Sequence, residues 1–192
     1  MNREEALAHV REVLPEQRYI HTIGVMETAK ALAEKYGENV EQAEMAAILH
    51  DMAKHHSRDD MRDIIKKEQM DERLLLFHHE LWHAPVGAYL AKVMMAIESQ
   101  DILNAIRFHT TGRAGMSLLE KIIYLSDFIE PGRKFPEAEE IRKIAFTDLE
   151  KAMRKTVKQS ISFLMDKKAR IFPDTLECYN DLMLQKEKSK YE

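Results

Sequence analysis

Histidine and aspartate residues are placed in this 192-residue chain where they could hold a metal ion. His50 and Asp51 are adjacent at the end of an apolar segment. Adjacent residues of a helix point about 100° apart, so both side chains can address one point beside it. A neutral imidazole nitrogen and a carboxylate oxygen suit a borderline divalent metal. Taken alone, however, such a dipeptide is more often an ordinary surface pair.

Further residues strengthen the metal hypothesis. His21 falls on the apolar stripe of a predicted helix, and Asp127 lies in a segment that is apolar nearly all round. A buried carboxylate is costly unless a metal or a buried cation compensates it. A satisfied core histidine and an Asp–Arg ion pair are the alternatives. Helical bundles build metal sites from facing elements, and we predict one centre because five residues fall on or beside five different helices: His21, His50, His83, His109 and Asp127.

A second histidine pattern, His79-Glu80-Leu81-Trp82-His83, matches the string in which two histidines one turn apart bind zinc and the glutamate activates water. That mechanism needs both histidines in one continuous helix. Pro85 follows two residues later and is typical of a helix start, which argues against a shared helix. We therefore do not predict a zinc protease.

The residues near the predicted ligands suit phosphate chemistry. Hydrolysis of a phosphoanhydride needs an activated water and neutralised phosphoryl oxygens. Asp51 could both ligate a metal and accept a proton. Lys54 lies one turn beyond the His-Asp pair, and Arg18 shares the helix face of the first predicted histidine. Arg133 lies in a Pro-Gly-Arg loop that suits a bidentate phosphate contact, and Thr110 could line the phosphate path.

A third candidate region, residues 167–175, joins a basic helix end to an aromatic residue and a new helix start. A helix N-terminus attracts anions, and an aromatic ring can stack on a base. The alternative is a helix C-terminus with favourable cations and a packed phenylalanine. The substrate-binding candidates of this region are Arg170, Phe172 and Thr175.

The positions of capping residues and the spacing of apolar residues predict an all-α fold, a helical bundle. Glycine and proline total only 11 residues, and no window alternates with the period of a strand. Capping residues such as Asn2, Asn39, Ser57, Ser99 and Ser117 precede apolar runs. The predicted helices cover about 2–15, 18–36, 39–54, a short segment from 57, 85–97, 99–109, 117–129, 147–168 and a last segment from 174.

Composition sets the broad class of the protein. Hydrophobic residues make up 45% and charged residues 32%, which predicts one globular domain over 1–185 and a charged tail over 186–192. The net charge of −4 gives no reason to expect a nucleic-acid partner. We expect no membrane span and no secretory signal, and the single cysteine fits a reducing cytoplasm. Methionine-rich faces suggest a homodimer or else core filler: Met94, Met95, Met153, Met165 and Met183.

The order His21, His50-Asp51 and Asp127 resembles the HD-domain metal phosphohydrolases. The surrounding sequence resembles, within them, the YqeK family of symmetrical bis(5'-nucleosyl)-tetraphosphatases of bacteria. Departures are small: Ser126 stands where alanine is usual, and Trp82 and Ala84 flank His83. The segments that carry the resemblance are 18–25, 49–54, 83–88, 105–112 and 124–133.

The resemblance implies a helical HD fold, iron at the centre, and cleavage of diadenosine tetraphosphate into two ADP. It implies that His21, His50, Asp51 and Asp127 ligate the primary metal. His83 and His109 would lie beside the reacting phosphates, where they could hold a second metal. The catalytic group is then Asp51, Lys54, His83 and His109, and the implied phosphate or nucleotide contacts include Arg18, Lys54, Thr110 and Arg133.

Two other interpretations stay open from sequence alone. The same metal core could act on a different nucleotide, or the site could sense a nucleotide without turning it over. Intact Asp51, Lys54 and Asp127 argue against the sensor, since sensors often lose such groups. Manganese, cobalt, nickel and zinc accept the same ligands as iron.

Overall fold

The structure is a computed structural model that describes the backbone of residues 2–188 and the side chains of residues 2–186. Within that part, the chain is helical and contains no strand, which confirms the predicted all-α class. Two short 3-10 helices, Glu72–Leu76 and His79–Leu81, lie between the fourth and fifth α-helices. The α-helices are α1 (Arg3–Val13), α2 (Glu16–Tyr36), α3 (Val40–Leu49), α4 (Arg58–Lys67), α5 (His83–Met94), α6 (Gln100–Phe108), α7 (Leu118–Ile129), α8 (Pro136–Ala145), α9 (Leu149–Asp166) and α10 (Pro173–Lys188).

Side-chain caps begin most of these helices where the sequence predicts. In five cases the cap oxygen accepts a hydrogen bond from the backbone N–H three residues on, which satisfies a donor that the first turn leaves free. Gly37 ends α2 in the left-handed conformation, with φ of 74°, as a glycine after a helix commonly does. The confirmed caps are Asn2, Asn39, Ser57, Ser99 and Ser117.

Helix α7 is the central element of the fold. It contacts α2, α3, α6, α8 and α9. Its large apolar side chains Ile122, Ile123 and Leu125 are fully buried. The prediction that a helix apolar nearly all round is central is therefore confirmed, and Asp127 lies near its C-terminal end.

Several predicted boundaries are wrong. The third helix ends at Leu49 rather than near Lys54, and the chain then continues in turns. The fifth runs from His83 to Met94 instead of from Pro85 to about 97. The ninth is capped by Asp148, one residue after the predicted Thr147. Helix α8 and the two 3-10 helices were not predicted at all.

The methionines do not form one continuous exposed face. Met95 and Met153 are buried in the core, whereas Met94 and Met165 are exposed. No helix in residues 2–188 combines the length and apolar character that a membrane crossing requires. Helix α10 is described through Lys188, and residues 189–192 of the predicted tail lie outside the described part of the chain.

Candidate metal centre and adjoining groove

Three of the predicted histidines lie at helix ends that converge on one point. His50 is the C-cap of α3, His109 is the C-cap of α6, and His83 is the first residue of α5. The rings of His50 and His109 lie 5.0 Å apart, as do those of His83 and His109. These three residues, distant in sequence, therefore share one buried site.

Each of these histidines is oriented by the same local hydrogen bond. The ring Nδ1 lies close to the carbonyl oxygen three residues earlier: 2.6 Å for His50, 2.6 Å for His83 and 2.7 Å for His109. A carbonyl can only accept, so Nδ1 carries the proton in each ring. Each Nε2 is then left as an unprotonated lone pair facing the site, which is the form that binds a metal.

The first cluster of ligand atoms joins α2, α3 and α7. His21, His50 and Asp127 each offer one atom, and these atoms lie within 4.8 Å of one another. His21 Nε2 is 3.0 Å from Asp127 Oδ1. Nevertheless, the Nε2 atoms of His21 and His50 are buried without a hydrogen-bond partner of acceptable geometry. Buried polar atoms rarely lack a partner, so their convergence fits a cation between them.

The second cluster centres on Asp51. The ligand atoms of His50, Asp51 and His109 also lie within 4.8 Å of one another. Asp51 Oδ1 is 3.2 Å from His83 Nε2 and 3.8 Å from His109 Nε2. The Nε2 atoms of His83 and His109 are only 3.0 Å apart, although neither has its proton there. Two facing lone pairs repel unless a proton or a metal lies between them.

The protonation states of His50, His109 and the two aspartates favour metal binding, whereas His21 differs. Burial acts to lower the pKa of His21, but Asp127 and Glu130 outweigh it and raise that pKa. Burial lowers the pKa of His50 and lowers that of His109 to about 3, so both rings are neutral at neutral pH. Burial acts to raise the pKa of the Asp51 carboxyl, but neighbouring histidines, His50 first, outweigh it and hold the pKa well below its usual range. The pKa of Asp127 is also held low against burial, mainly by His21, whose Nε2 atom lies 3.0 Å from Asp127 Oδ1. Neutral imidazoles and ionised carboxylates are what a divalent metal requires.

The predicted cations all reach the centre, and each is paired with a carboxylate. Arg18 Nη1 donates to Asp51 Oδ2 at 3.0 Å. Arg133 Nη2 donates to Asp127 Oδ1 at 3.0 Å, so the Asp–Arg alternative is realised beside the histidine cluster rather than instead of it. Lys54 Nζ donates to the exposed Glu80 at 2.7 Å.

The zinc-protease string does not form a site. His79 lies in a 3-10 helix, whereas His83 begins α5, so the two do not share one continuous helix. The His79 ring lies instead against His78, at 4.3 Å between centroids. The expectation that no single helix carries both histidines is confirmed, although α5 starts two residues before Pro85.

A large apolar groove adjoins the centre. Its volume is about 680 Å³, and the exposed ring of Phe163 forms part of its wall. Thr110, which follows His109 directly, lies at the junction, and its buried hydroxyl has no hydrogen-bond partner. The groove is lined by the second 3-10 helix, by α7 and α9, and by the chain leading into α8 and α10. Its lining includes Phe128, Phe135, Phe163, Leu164, Arg170, Phe172 and Thr175.

The three candidates of the 167–175 region line this groove, but their side chains make contacts within the protein that the sequence did not predict. Phe172 is buried, and its ring packs edge to face with Phe77 at 5.1 Å. Arg170 Nη1 donates to the carbonyl of Leu76 at 2.7 Å. Thr175 is buried as well. Asp174, in the first turn of α10, puts a negative charge where an anion was expected.

Sequence reasoning missed Glu130 and three of the phenylalanines that line the groove. Glu130 Oε1 is 3.1 Å from His21 Nδ1, so this carboxylate backs a predicted ligand. Its spacing of three residues from Asp127 places both on one side of the α7 end, which was a usable signal. Phe128, Phe135 and Phe163 carry no comparable signal, because an aromatic residue at helical spacing is more often a core residue.

Similarity to known proteins agrees with this geometry. The HD domain family matches residues 18–170. A Bacillus subtilis protein named bis(5'-nucleosyl)-tetraphosphatase, symmetrical, is 53% identical over 95% of this chain and 98% of its own length. A Staphylococcus aureus protein of the same name is 36% identical over 94% of each chain. A crystal structure of a predicted HD superfamily hydrolase from Clostridium acetobutylicum, described as involved in NAD metabolism, has a TM-score of 0.92 at 39% identity and covers 96% of this chain and 98% of that one.

These similarities extend over nearly the whole chain and include the helices that carry both clusters. The paired histidine and aspartate clusters match the divalent metal that an HD domain implies. This chain therefore belongs to the HD-domain family, in the branch that contains the symmetrical bis(5'-nucleosyl)-tetraphosphatases.

Proposed function

We propose that the protein hydrolyses diadenosine tetraphosphate symmetrically to two molecules of ADP, in a reaction that depends on a divalent metal. The observation that carries this proposal is the pair of ligand clusters that share His50, in a chain 53% identical to a symmetrical tetraphosphatase. Related dinucleoside polyphosphates contain the same kind of phosphoanhydride bond and are expected substrates as well.

The ligand atoms fit a metal because of their chemistry. His21, His50, Asp51 and Asp127 would hold the primary ion, and His83 and His109 with Asp51 would hold a second. A bound divalent metal would neutralise phosphate charge and lower the pKa of water. We propose iron, on the strength of the family resemblance; manganese, cobalt, nickel and zinc accept the same ligands.

Asp51 is the proposed proton acceptor. Its Oδ1 atom is 3.2 Å from His83 Nε2, and its Oδ2 atom accepts from Arg18 at 3.0 Å. The carboxylate thus lies within the second cluster, next to the shared His50 in sequence, and is ionised, since its pKa is low. A water beside it would lose its proton to a group already held in place, which general base catalysis requires. His83 and His109 flank the same position.

The cations are proposed phosphate contacts. Arg18, Lys54 and Arg133 all reach the centre, and their present carboxylate partners would compete with phosphate for them. The unpartnered hydroxyl of Thr110 offers a hydrogen bond at the inner end of the groove. A tetraphosphate carries several negative charges, so a cluster of cations around the reacting atoms both binds it and stabilises charge in the transition state.

The groove is the proposed site for one nucleoside. A cavity of about 680 Å³ lined by phenylalanines suits a flat base, which gains free energy by stacking on aromatic rings. Phe163 offers an exposed ring. Arg170, Phe172 and Thr175 line the same groove, and Phe172 acts there through one ring edge because Phe77 and Arg73 pack against it.

The test is the purified protein with diadenosine tetraphosphate, with products resolved by chromatography and metal content measured on the same sample. ADP as the sole product, lost with chelator and in His50→Ala, is the expected result. AMP together with ATP would contradict symmetrical cleavage. Intact substrate from a metal-loaded sample would favour a different nucleotide substrate or the nucleotide-sensing alternative.

The proposal extends to the cellular location, the domain organisation and the partners of the protein. We propose a cytoplasmic protein of one domain over 1–185, supported by its single, buried, free cysteine. The net charge of −4 supports the absence of a nucleic-acid partner. We also propose a homodimer, because the apolar side chains of Val93 and Met94 at the end of α5 are exposed. Light scattering tests this proposal.

A further inference from the structure

A buried carboxylate, Glu130, stands behind His21 at the end of α7. Its side chain is 6% exposed, and its two oxygens have different partners. Oε1 is 3.1 Å from His21 Nδ1, and Oε2 accepts from the backbone N–H of Gly132. The His21 Nε2 atom faces the opposite way, toward Asp127 in the first ligand cluster. Glu130 therefore contacts the ring of a proposed ligand without joining that cluster.

This support differs from that of the other three histidines. His50, His83 and His109 each donate from Nδ1 to the neutral backbone carbonyl three residues earlier in the chain. Only His21 has a carboxylate in that position. A carboxylate holds the proton on Nδ1 more firmly and makes Nε2 a stronger electron donor to a metal.

The surrounding chain leaves room for this carboxylate at two glycines. A Cβ atom on Gly24 would lie 2.6 Å from Glu130 Oε2. A Cβ atom on Gly132 would lie 2.8 Å from both carboxylate oxygens. Any larger residue at either position would push the carboxylate away from His21. Gly24 is one turn after His21 on α2, so ligand and clearance come from the same helix face.

The backbone on either side of Glu130 is held from α8. Arg142 donates to the carbonyl oxygens of Ile129, Glu130 and Arg133, at 2.6, 2.8 and 2.9 Å. These three hydrogen bonds fix the turn after α7 and, with it, the direction of the Glu130 side chain. Helix α8, which was not predicted from sequence, thus supports the centre indirectly, through the backbone around Glu130.

We propose that Glu130 is a positioning residue that sets the tautomer and direction of His21 and so makes the first cluster the tighter metal site. This inference rests on the proposed metal dependence but not on the choice of substrate. Glu130 offers one acceptor oxygen to His21 and one to Gly132. A glutamine has a single acceptor oxygen and cannot satisfy both donors. If its amide N–H faced His21, the ring proton would shift to Nε2 and block the metal.

The decisive experiment measures Mn²⁺ binding to metal-stripped protein by calorimetry, without any nucleotide. Glu130→Gln is expected to weaken the tighter site about 10- to 100-fold, the usual effect of removing such a partner. Glu120→Gln is the matched control, because Glu120 is a buried carboxylate at the other end of α7, paired with Arg113. Its effect on folding should resemble that of Glu130→Gln, whereas its Mn²⁺ affinity should equal that of the wild type.

Two further measurements separate positioning from a merely structural role. In His21→Ala, adding Glu130→Gln should cause no further loss of Mn²⁺ affinity, because the residue acts through His21. Histidine ¹⁵N NMR of the metal-free protein should show His21 protonated at Nδ1 in the wild type and altered in Glu130→Gln.

Wild-type Mn²⁺ affinity in Glu130→Gln, or equal losses with and without His21, would overturn the inference. Because no nucleotide is present, a failure of diadenosine tetraphosphate hydrolysis would leave this result standing. Likewise, normal hydrolysis by the wild type would not rescue the inference if Glu130→Gln bound Mn²⁺ normally.

Discussion

The metal centre and the apolar groove lie side by side but are built in opposite ways. Every histidine of the centre has its ring fixed by a hydrogen bond, and its carboxylates are paired or buried. The groove presents phenylalanine side chains, of which Phe163 is 55% exposed. The difference indicates that the centre depends on the exact placement of its side chains for catalysis. The groove depends on its exposed apolar area for binding. The variants below should therefore separate kcat from KM.

The largest effect is expected at Asp51, the carboxylate of the second cluster. Asp51→Asn should lower kcat on the order of 10³-fold, because the proposed base and a shared ligand are lost together and each is worth several kcal/mol. Steady-state kinetics with diadenosine tetraphosphate measures it. Because the groove is intact in this variant, we expect ADP to bind to it with near wild-type affinity, as measured by calorimetry. A variant that kept the wild-type kcat would exclude the assigned centre.

The next effect concerns acid stability, which should depend on the centre and not on the groove. Burial lowers the pKa of His109 to about 3, whereas an unfolded histidine titrates near 6.5. Below about pH 6.5, the unfolded chain takes up a proton that the folded chain refuses, so stability falls as pH falls, by up to about 1.4 kcal/mol per pH unit for this residue. His50 acts in the same direction, and His21, whose pKa is raised, acts in the opposite one.

Urea unfolding of the metal-free protein between about pH 6.5 and about pH 4.5 measures this slope. His109→Asn should reduce the slope, and the exposed His55→Asn should not. Equal slopes in the two variants would mean that the buried histidine is not what makes the fold acid-sensitive.

A smaller effect is expected in the groove. Phe163→Ala should raise KM about tenfold and leave kcat and metal content within about twofold, because stacking on a base contributes about 1–3 kcal/mol. Met94→Ala, at a similarly exposed apolar residue of α5, is the control and should change neither constant. A fall in kcat with unchanged KM would show that Phe163 contributes to the chemical step rather than to nucleoside binding in the groove.

The smallest effect concerns the ion pair at the mouth of the centre. Glu80→Gln removes the partner of Lys54, and the Glu80 side chain is 56% exposed. Such a pair contributes about 0.2–1 kcal/mol, so KM should fall by no more than about fivefold as Lys54 becomes free for phosphate. The double variant with Lys54→Met should lose this gain. A rise in KM would show that Glu80 helps to bind the substrate.

Local sequence signals were enough to predict the helices that carry the ligands. Side-chain caps such as Asn39 and Ser99 mark starts, and the apolar spacing of α7 marks a central helix. Helix α8 lacks a side-chain cap hydrogen bond at its N-cap, Phe135, and was missed although Pro136 at its first position is typical of a helix start. The end of α3 was missed because the apolar run continues past Leu49, while the chain changes to i+3 hydrogen bonds, such as the Lys54 N–H to the Asp51 carbonyl.

The convergence of the candidate ligand histidines was predictable, but the contacts that support their rings were only partly so. A hydrogen bond from His50 to Ala47 spans three residues and accompanies the helix end. The partner of His21 is 109 residues away, and no spacing rule joins the two. The groove was only partly foreseen, since it depends on how α9 and α10 pack against α7 rather than on any motif.

The contrast between local and remote support also has a consequence for folding kinetics. Contacts within a helix end form in the microsecond range, so His50, His83 and His109 can take their final tautomer early. His21 acquires its partner only when α2 and α7 have docked, a step that closes a loop of about a hundred residues. We therefore expect metal uptake at the first cluster to lag behind helix formation during refolding and to coincide with the last tertiary step.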